Sequence, residues 1–202
     1  MPKTPGLDRE LLFATKEVEN LQTLFEKTPF MKANVISHPV KETVLSSIRS
    51  SQIAHFACHG RLDPDPSKSM LLLHDWQSSP VRVSDLTSLK IESAVFAFLS
   101  ACHTAGIKNP LLTDESINLS SALLLAGYPA VVGALWEVVD QQSAQIAKKV
   151  YEIMLGDGEG LDIMRAAEGL HLAIRALRDD RELDPRLRRN PLIWAPYIHI
   201  GV

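Results

Sequence analysis

The 202-residue chain has two cysteines, Cys58 and Cys102, and each is followed at once by a histidine, His59 and His103. Cysteine attacks a carbonyl carbon only as the thiolate. A neighbouring imidazole, with a pKa near neutrality, takes the thiol proton and later hands one to the leaving amine. A cysteine and a histidine brought together from separate parts of the chain therefore suffice for acyl transfer. Cys58, His59, Cys102 and His103 are also zinc-ligand types, but adjacent residues on an extended chain point to opposite sides and neither pair has the usual ligand spacing. A third option is that the cysteines are small buried hydrophobes. GxSxG, P-loop, GxGxxG and HExxH motifs do not occur, which removes the serine-elbow, nucleotide and zincin chemistries.

The elements that must position these residues are legible from apolar periodicity. Residues 7–25 keep a helical period through Leu7, Leu11, Leu12, Val18, Leu21 and Phe25, and Val35 with Ile36 marks a short strand. Residues 41–50 put Val44, Leu45 and Ile48 on one helical face. Residues 53–57 and 91–99 are apolar strand candidates, and each is soon followed by a Cys-His pair. Between them, Asp63-Pro64-Asp65-Pro66 is loop composition, and residues 70–73 with 81–83 form a peripheral β-hairpin. Residues 114–127, 140–155 and 161–177 are helical, 130–135 is a third core strand and 194–200 a last one. Residues 179–190 hold charges of both signs and a proline, the composition of a solvated loop.

Strands alternating with helices predict an α/β fold, a three-layer α/β/α sandwich with a mostly parallel central sheet. In such sheets ligands bind at the carboxyl ends of the strands, where His59 and Cys102 both fall. Neighbouring strands lie about 4.8 Å apart, so residues just beyond their ends can face each other across a substrate bond. The backbone N–H groups of Gly60 and Cys102 then become candidate oxyanion donors.

Composition bounds the function classes. A net charge of −3, with 46% hydrophobic and 22% charged residues, describes a foldable chain without the basic excess that nucleic acid requires. The longest apolar runs, 122–126 and 130–136, fall far short of the roughly 20 residues of a membrane helix. The opening Met1-Pro2-Lys3-Thr4-Pro5-Gly6 leads into charge, unlike a secretory signal. A cytoplasmic protein without a disulfide framework is expected, formed as one domain over 1–202.

Four motifs carry a resemblance. Ile53-Ala54-His55-Phe56-Ala57-Cys58-His59-Gly60, Leu99-Ser100-Ala101-Cys102-His103-Thr104, Gly133-Ala134-Leu135-Trp136-Glu137-Val138-Val139-Asp140 and Trp194-Ala195-Pro196-Tyr197-Ile198-His199-Ile200-Gly201 resemble, in order, the motifs of the CHAT domain. That family comprises caspase-like cysteine peptidases often joined to tetratricopeptide repeats and related to separases and caspases. The resemblance runs over residues 10–202. CHAT domains usually carry further strand and helix segments ahead of the helix expected from Leu7, so either the sheet here is minimal or N-terminal segments of the usual domain are missing.

The resemblance implies a caspase-like fold with His59 as general base and Cys102 as nucleophile, and no obligatory third carboxylate. It implies a cysteine endopeptidase acting on a protein substrate, a regulated effector in signalling or programmed cell death, with no cofactor and no metal. A tetratricopeptide-repeat or other regulatory domain is a possible partner; neither nucleic acid nor membrane is. The alternative is an inactive caspase-like scaffold or interaction module, and a zinc-binding domain ranks below it.

Three residues are candidates for the substrate pocket. Asp140 ends the turn after the 130–135 strand, where its carboxylate can meet an Arg or Lys before the scissile bond; equally, it can cap the helix it begins. Ser100 stands two positions before Cys102, where the related metacaspases carry aspartate. Asp63, with Asp65, lies in the loop that leaves His59, a loop its prolines should make a fairly rigid wall. His38, His55, His74, His171 and His199, with Trp136 and Trp194, are read as packing or surface residues.

Overall fold

The computed structural model describes residues 1–29, 31–101, 118–156 and 160–202. In chain order its elements are α1 (Ala14–Glu26), α2 (Lys41–Arg49), β1 (Ile53–Ala57), β2 (His59–Arg61), β3 (Met70–Leu72), β4 (Val81–Arg82), α3 (Val83–Thr87) and β5 (Phe96–Ser100). There follow α4 (Leu119–Ala126), β6 (Ala130–Ala134), α5 (Asp140–Leu155), α6 (Ala166–Asp179), α7 (Pro185–Arg188), α8 (Pro191–Trp194) and β7 (Tyr197–Gly201).

Among the described residues the central sheet has four strands in the order β1-β5-β6-β7. β1, β5 and β6 run parallel, and β7 returns antiparallel to β6. Side chains alternate across a strand, and the alternation here loads two separate cores. Ala54 and Phe56 of β1, Ala97 and Leu99 of β5 and Val131 of β6 pack with α2, α3 and α4. Phe96 and Phe98 of β5 with Ala130, Val132 and Ala134 of β6 face Leu21 and Phe25 of α1, Val150 and Tyr151 of α5 and Leu170 of α6. A strand buried on both faces must read as a continuous apolar run, and β5 and β6 are buried throughout. This is the expected three-layer arrangement.

The helix on the sheet's second core begins later than its periodicity predicts. Leu7 to Phe13 do not join α1: the Leu11 N–H bonds Pro2 O and the Phe13 N–H leaves for Asp140. Leu12, assigned by the pattern to the apolar face, is 73% exposed. No strand forms at 35–36; that stretch instead lines a cleft of about 960 Å³ beside β1, between α1 and α2. Two β-branched residues without a partner strand cannot close a ladder.

The expected hairpin pairs as β3 with β4, and β2 adds to it as a third antiparallel strand, order β2-β3-β4. His59 is thus the first residue of a strand and not of a loop, with Leu72 as its register partner. Gly127 ends α4 at φ +120°, and a Cβ there would lie 2.5 Å from Ile91 O, so the α4–β6 turn admits only glycine. Among the described residues no helix is long and apolar enough to cross a membrane.

Candidate active site

β1 and β5 are register partners along their full length, Ile53 with Phe96 through to Ala57 with Ser100. The chain then leaves the sheet through Cys58, which is buried, into β2. His59 opens β2 with 8% of its surface exposed. Its Nε2 lies 3.1 Å from the carbonyl oxygen of Arg9. A carbonyl only accepts, so Nε2 carries the proton, and the neutral ring keeps its lone pair on Nδ1. Burial pushes the His59 pKa below the ordinary histidine value; the Arg9 carbonyl and the Asp140 charge pull the other way, and the Arg9 guanidinium adds to the lowering. At neutral pH the imidazole is an uncharged base.

Asp140 is the first residue of α5, and its carboxylate Oδ2 accepts the Phe13 N–H at 2.6 Å. The residue before it, Val139, is the N-cap of α5 and makes no side-chain cap bond. Asp140 therefore caps the start of α1, across 127 residues of sequence, and not the helix it begins. Burial raises the Asp140 pKa, the Phe13 N–H opposes that, Glu17 raises it further, and His59 lowers it. His59 and Asp140 are thus electrostatic neighbours. Arg9 forms an ion pair with Glu137, in the loop between β6 and α5.

The other pocket candidates are held by bonds of their own. Ser100 is buried at the end of β5, its hydroxyl 2.6 Å from that of Ser143 on α5. Asp63 Oδ1 accepts the Asp65 N–H at 3.0 Å, while the Asp63 N–H donates to Ser69 Oγ at 3.1 Å. Asp65 Oδ1 in turn accepts from Ser67 N–H and Ser67 Oγ and caps a short 3-10 turn, Pro66–Lys68. Gly60 lies opposite Leu71 in the small sheet. Cys102 and His103 lie outside the described residues. Among the described residues no three His, Cys, Asp or Glu side chains gather in a way that would hold a metal ion.

Two groups of residues escaped the sequence reading. Arg9 and Phe13 act through backbone atoms, which leave no side-chain signature. Glu17 and His55 form a buried pair, Nε2 to Oε1 3.0 Å, on which Tyr151 OH closes at 3.4 Å from Nδ1. His55 also stacks on Phe98. The signal for Glu17 was present: it falls in the apolar stripe Ala14, Glu17, Leu21, Phe25 of α1, where a charge needs a partner.

The CHAT domain family's sequence profile matches residues 4–202. No curated protein matches the chain. Among solved structures, the chain is similar to separase from Saccharomyces cerevisiae in two crystal structures of the separase–securin complex. The structure at 3.0 Å resolution superposes with a TM-score of 0.59 at 20% identity, and that at 2.6 Å with 0.57 at 19%. Each match covers 93% of this chain and 11% of the separase chain, so the likeness is one of fold, to a small part of a much longer protein.

Proposed function

Since the chain belongs to the CHAT domain family, with the caspase-like fold that separase shares, we propose that it is a cysteine endopeptidase domain using His59 and Cys102. The observation that carries this reading is the pairing of Ala57 with Ser100 in adjacent parallel strands. His59 stands two residues beyond the first and Cys102 two residues beyond the second. Equal steps past paired ends of neighbouring strands, about 4.8 Å apart, support a meeting of the two side chains at that edge of the sheet.

In the proposed reaction the Nδ1 lone pair of His59 takes the Cys102 thiol proton, and the thiolate sulfur bonds to the substrate carbonyl carbon. The oxyanion so formed is assigned to the N–H groups of Gly60 and Cys102. Collapse breaks the C–N bond, the amine leaves with the proton from His59, and water then hydrolyses the thioester with His59 again as base. The Arg9 carbonyl has a clear part in this scheme: by accepting the Nε2 proton it keeps the ring in the tautomer whose free nitrogen is Nδ1.

For the residue before the cut we assign Asp140 as a basic-selective carboxylate. Oδ2 is already held by Phe13, and Oδ1 is the oxygen given to a substrate guanidinium or ammonium. We assign Asp63 and Ser100 to the substrate pocket as well. The substrate is a protein. A cytoplasmic effector in signalling or cell death, governed by a regulatory protein or a tetratricopeptide-repeat domain, is the biological setting proposed. Separase, similar to this chain over 11% of its own length, was crystallised in complex with the protein securin.

A thiol-directed peptide probe tests the reading. Cys102 should be labelled and Cys58 not, with labelling lost in Cys102→Ala and in His59→Ala. Labelling of neither cysteine, together with no cleavage of a peptide library, would make the domain an interaction module.

A further inference from the structure

A ring of hydrogen bonds, closed through the α5 backbone between Asp140 and Tyr151, joins α1, β1 and α5. His55 Nε2 meets Glu17 Oε1 at 3.0 Å, and the Glu17 N–H donates to Phe13 O at 2.8 Å. The Phe13 N–H donates to Asp140 Oδ2 at 2.6 Å, and Tyr151, further along the same helix α5, returns to His55 Nδ1 at 3.4 Å. The Glu17 side chain is 2% exposed and that of His55 11%, while Tyr151 is wholly buried.

Such a cluster is an expensive way to fasten a helix. Two ionisable groups taken out of water recover little more than their desolvation cost, and apolar residues of similar volume commonly serve as well or better. α1 already has that fastening, from Leu21 and Phe25 in its later turns. What apolar contacts do not supply is register. A carboxylate with one imidazole partner fixes how far α1 slides along β1, whereas greasy surfaces tolerate small shifts. The point fixed is one turn from Phe13, and the segment leading into Phe13 carries the Arg9 carbonyl.

We infer that the Glu17–His55 pair is a positioning element for the proposed peptidase site, setting α1 so that the Arg9 carbonyl meets His59 and the Phe13 N–H meets Asp140. Neither Glu17 nor His55 touches substrate; both act through the backbone of residues 9–13. The inference rests on the peptidase reading for its consequence and on the ring alone for its geometry, and the two separate experimentally.

The test uses the full chain as wild type, Glu17→Ala and Glu17→Gln, with peptide hydrolysis, thermal melting and the His59 imidazole titration followed by NMR. Displacing a catalytic group by a fraction of an ångström to an ångström costs roughly 10- to 100-fold. Glu17→Ala should therefore lower kcat by about that factor with a smaller change in KM, and should move the His59 titration away from its wild-type position as the Arg9 carbonyl and the cover over the ring are displaced. Glu17→Gln, which keeps a hydrogen-bonding partner for His55, should restore most of both. A folded Glu17→Ala protein with wild-type kcat and a wild-type His59 titration overturns the inference, whatever its melting temperature. If wild type cleaves nothing while the His59 titration still moves in Glu17→Ala and recovers in Glu17→Gln, the positioning role stands and the peptidase reading fails. Should Glu17→Ala not fold, His55→Gln is carried through the same measurements, with the same outcomes deciding.

Discussion

Ala57 and Ser100 are register partners at the carboxyl ends of two adjacent parallel strands. The chain follows each with one residue and then a residue of reactive type, His59 after Cys58 and Cys102 after Ala101. Cys58 itself is 4% exposed within the core on the α2, α3 and α4 side of the sheet. The first prediction distinguishes the two thiols. Cys102→Ala and His59→Ala should each abolish peptide cleavage. Cys58→Ala should keep most of it, at a stability loss of about 1 kcal/mol for a shrunken core side chain. EDTA should leave activity unchanged, since a thiol–imidazole pair needs no ion. Loss of activity on chelation would point to a metal site, and equal loss from Cys58→Ala to a metal or a structural role for that buried thiol.

The pH dependence follows from burial of His59. Its pKa is lower folded than unfolded, so between the folded value and about 6.5 the unfolded chain binds the extra proton and stability rises with pH. The His59 contribution is intact above about pH 6.5 and is lost as pH falls through that window toward the folded pKa. His199 shifts in the same direction, also by burial, so wild type alone does not isolate the effect. Melting wild type and His59→Gln between pH 7.5 and 5 should show wild type losing more on acidification. The acid limb of kcat/KM should lie below pH 6.5 for the same reason. An acid limb above that value would contradict a buried, neutral base.

Asp140 accepts the Phe13 N–H, and the charge proposed to select a basic substrate residue is separable from that bond. Asp140→Asn retains an amide oxygen for the Phe13 N–H and removes the charge. A peptide library should show wild type preferring Arg or Lys before the cut and Asp140→Asn losing that preference selectively, with little change in melting temperature. Asp140→Ala loses both functions and should also cost roughly 1–2 kcal/mol, the worth of a charge-assisted hydrogen bond. No basic preference in wild type would leave Asp140 as a cap of α1 alone.

The loop after β2 is braced from within, Asp63 by Asp65 and Asp65 by Ser67 and Lys68. Asparagine can accept the same backbone N–H, so Asp63→Asn should hold the melting temperature within about 2 °C. A change in cleavage preference or rate in that variant would show its charge facing the substrate. Unchanged catalysis per folded molecule would make the loop purely structural.

Local pattern in the sequence is enough for the central strands and for α5. The strands β1, β5 and β6 are short, predominantly apolar runs between amphipathic helices, interrupted only by His55 in β1 and closed by Ser100 in β5, and α5 begins at Asp140 and ends at Leu155 as its periodicity predicts. The two Cys-His pairs after successive strands, with Trp136 to Asp140 and Trp194 to Gly201, were equally readable as motifs, because each is a contiguous string.

What tertiary structure decided lies where partners are distant in sequence. Residues 7–13 have a helical pattern, yet their backbone groups are claimed by Pro2, His59 and Asp140, so the helix waits until Ala14. His59 joins a strand because Leu72 offers it a ladder, which no property of residues 59–61 announces. The sequence marks His55 as a packing residue and does not single out Glu17, and only the fold sets them 3.0 Å apart. A hydrogen bond made by a backbone atom or by a lone buried charge is specified by where its partner is, and that position exists only once the chain has folded.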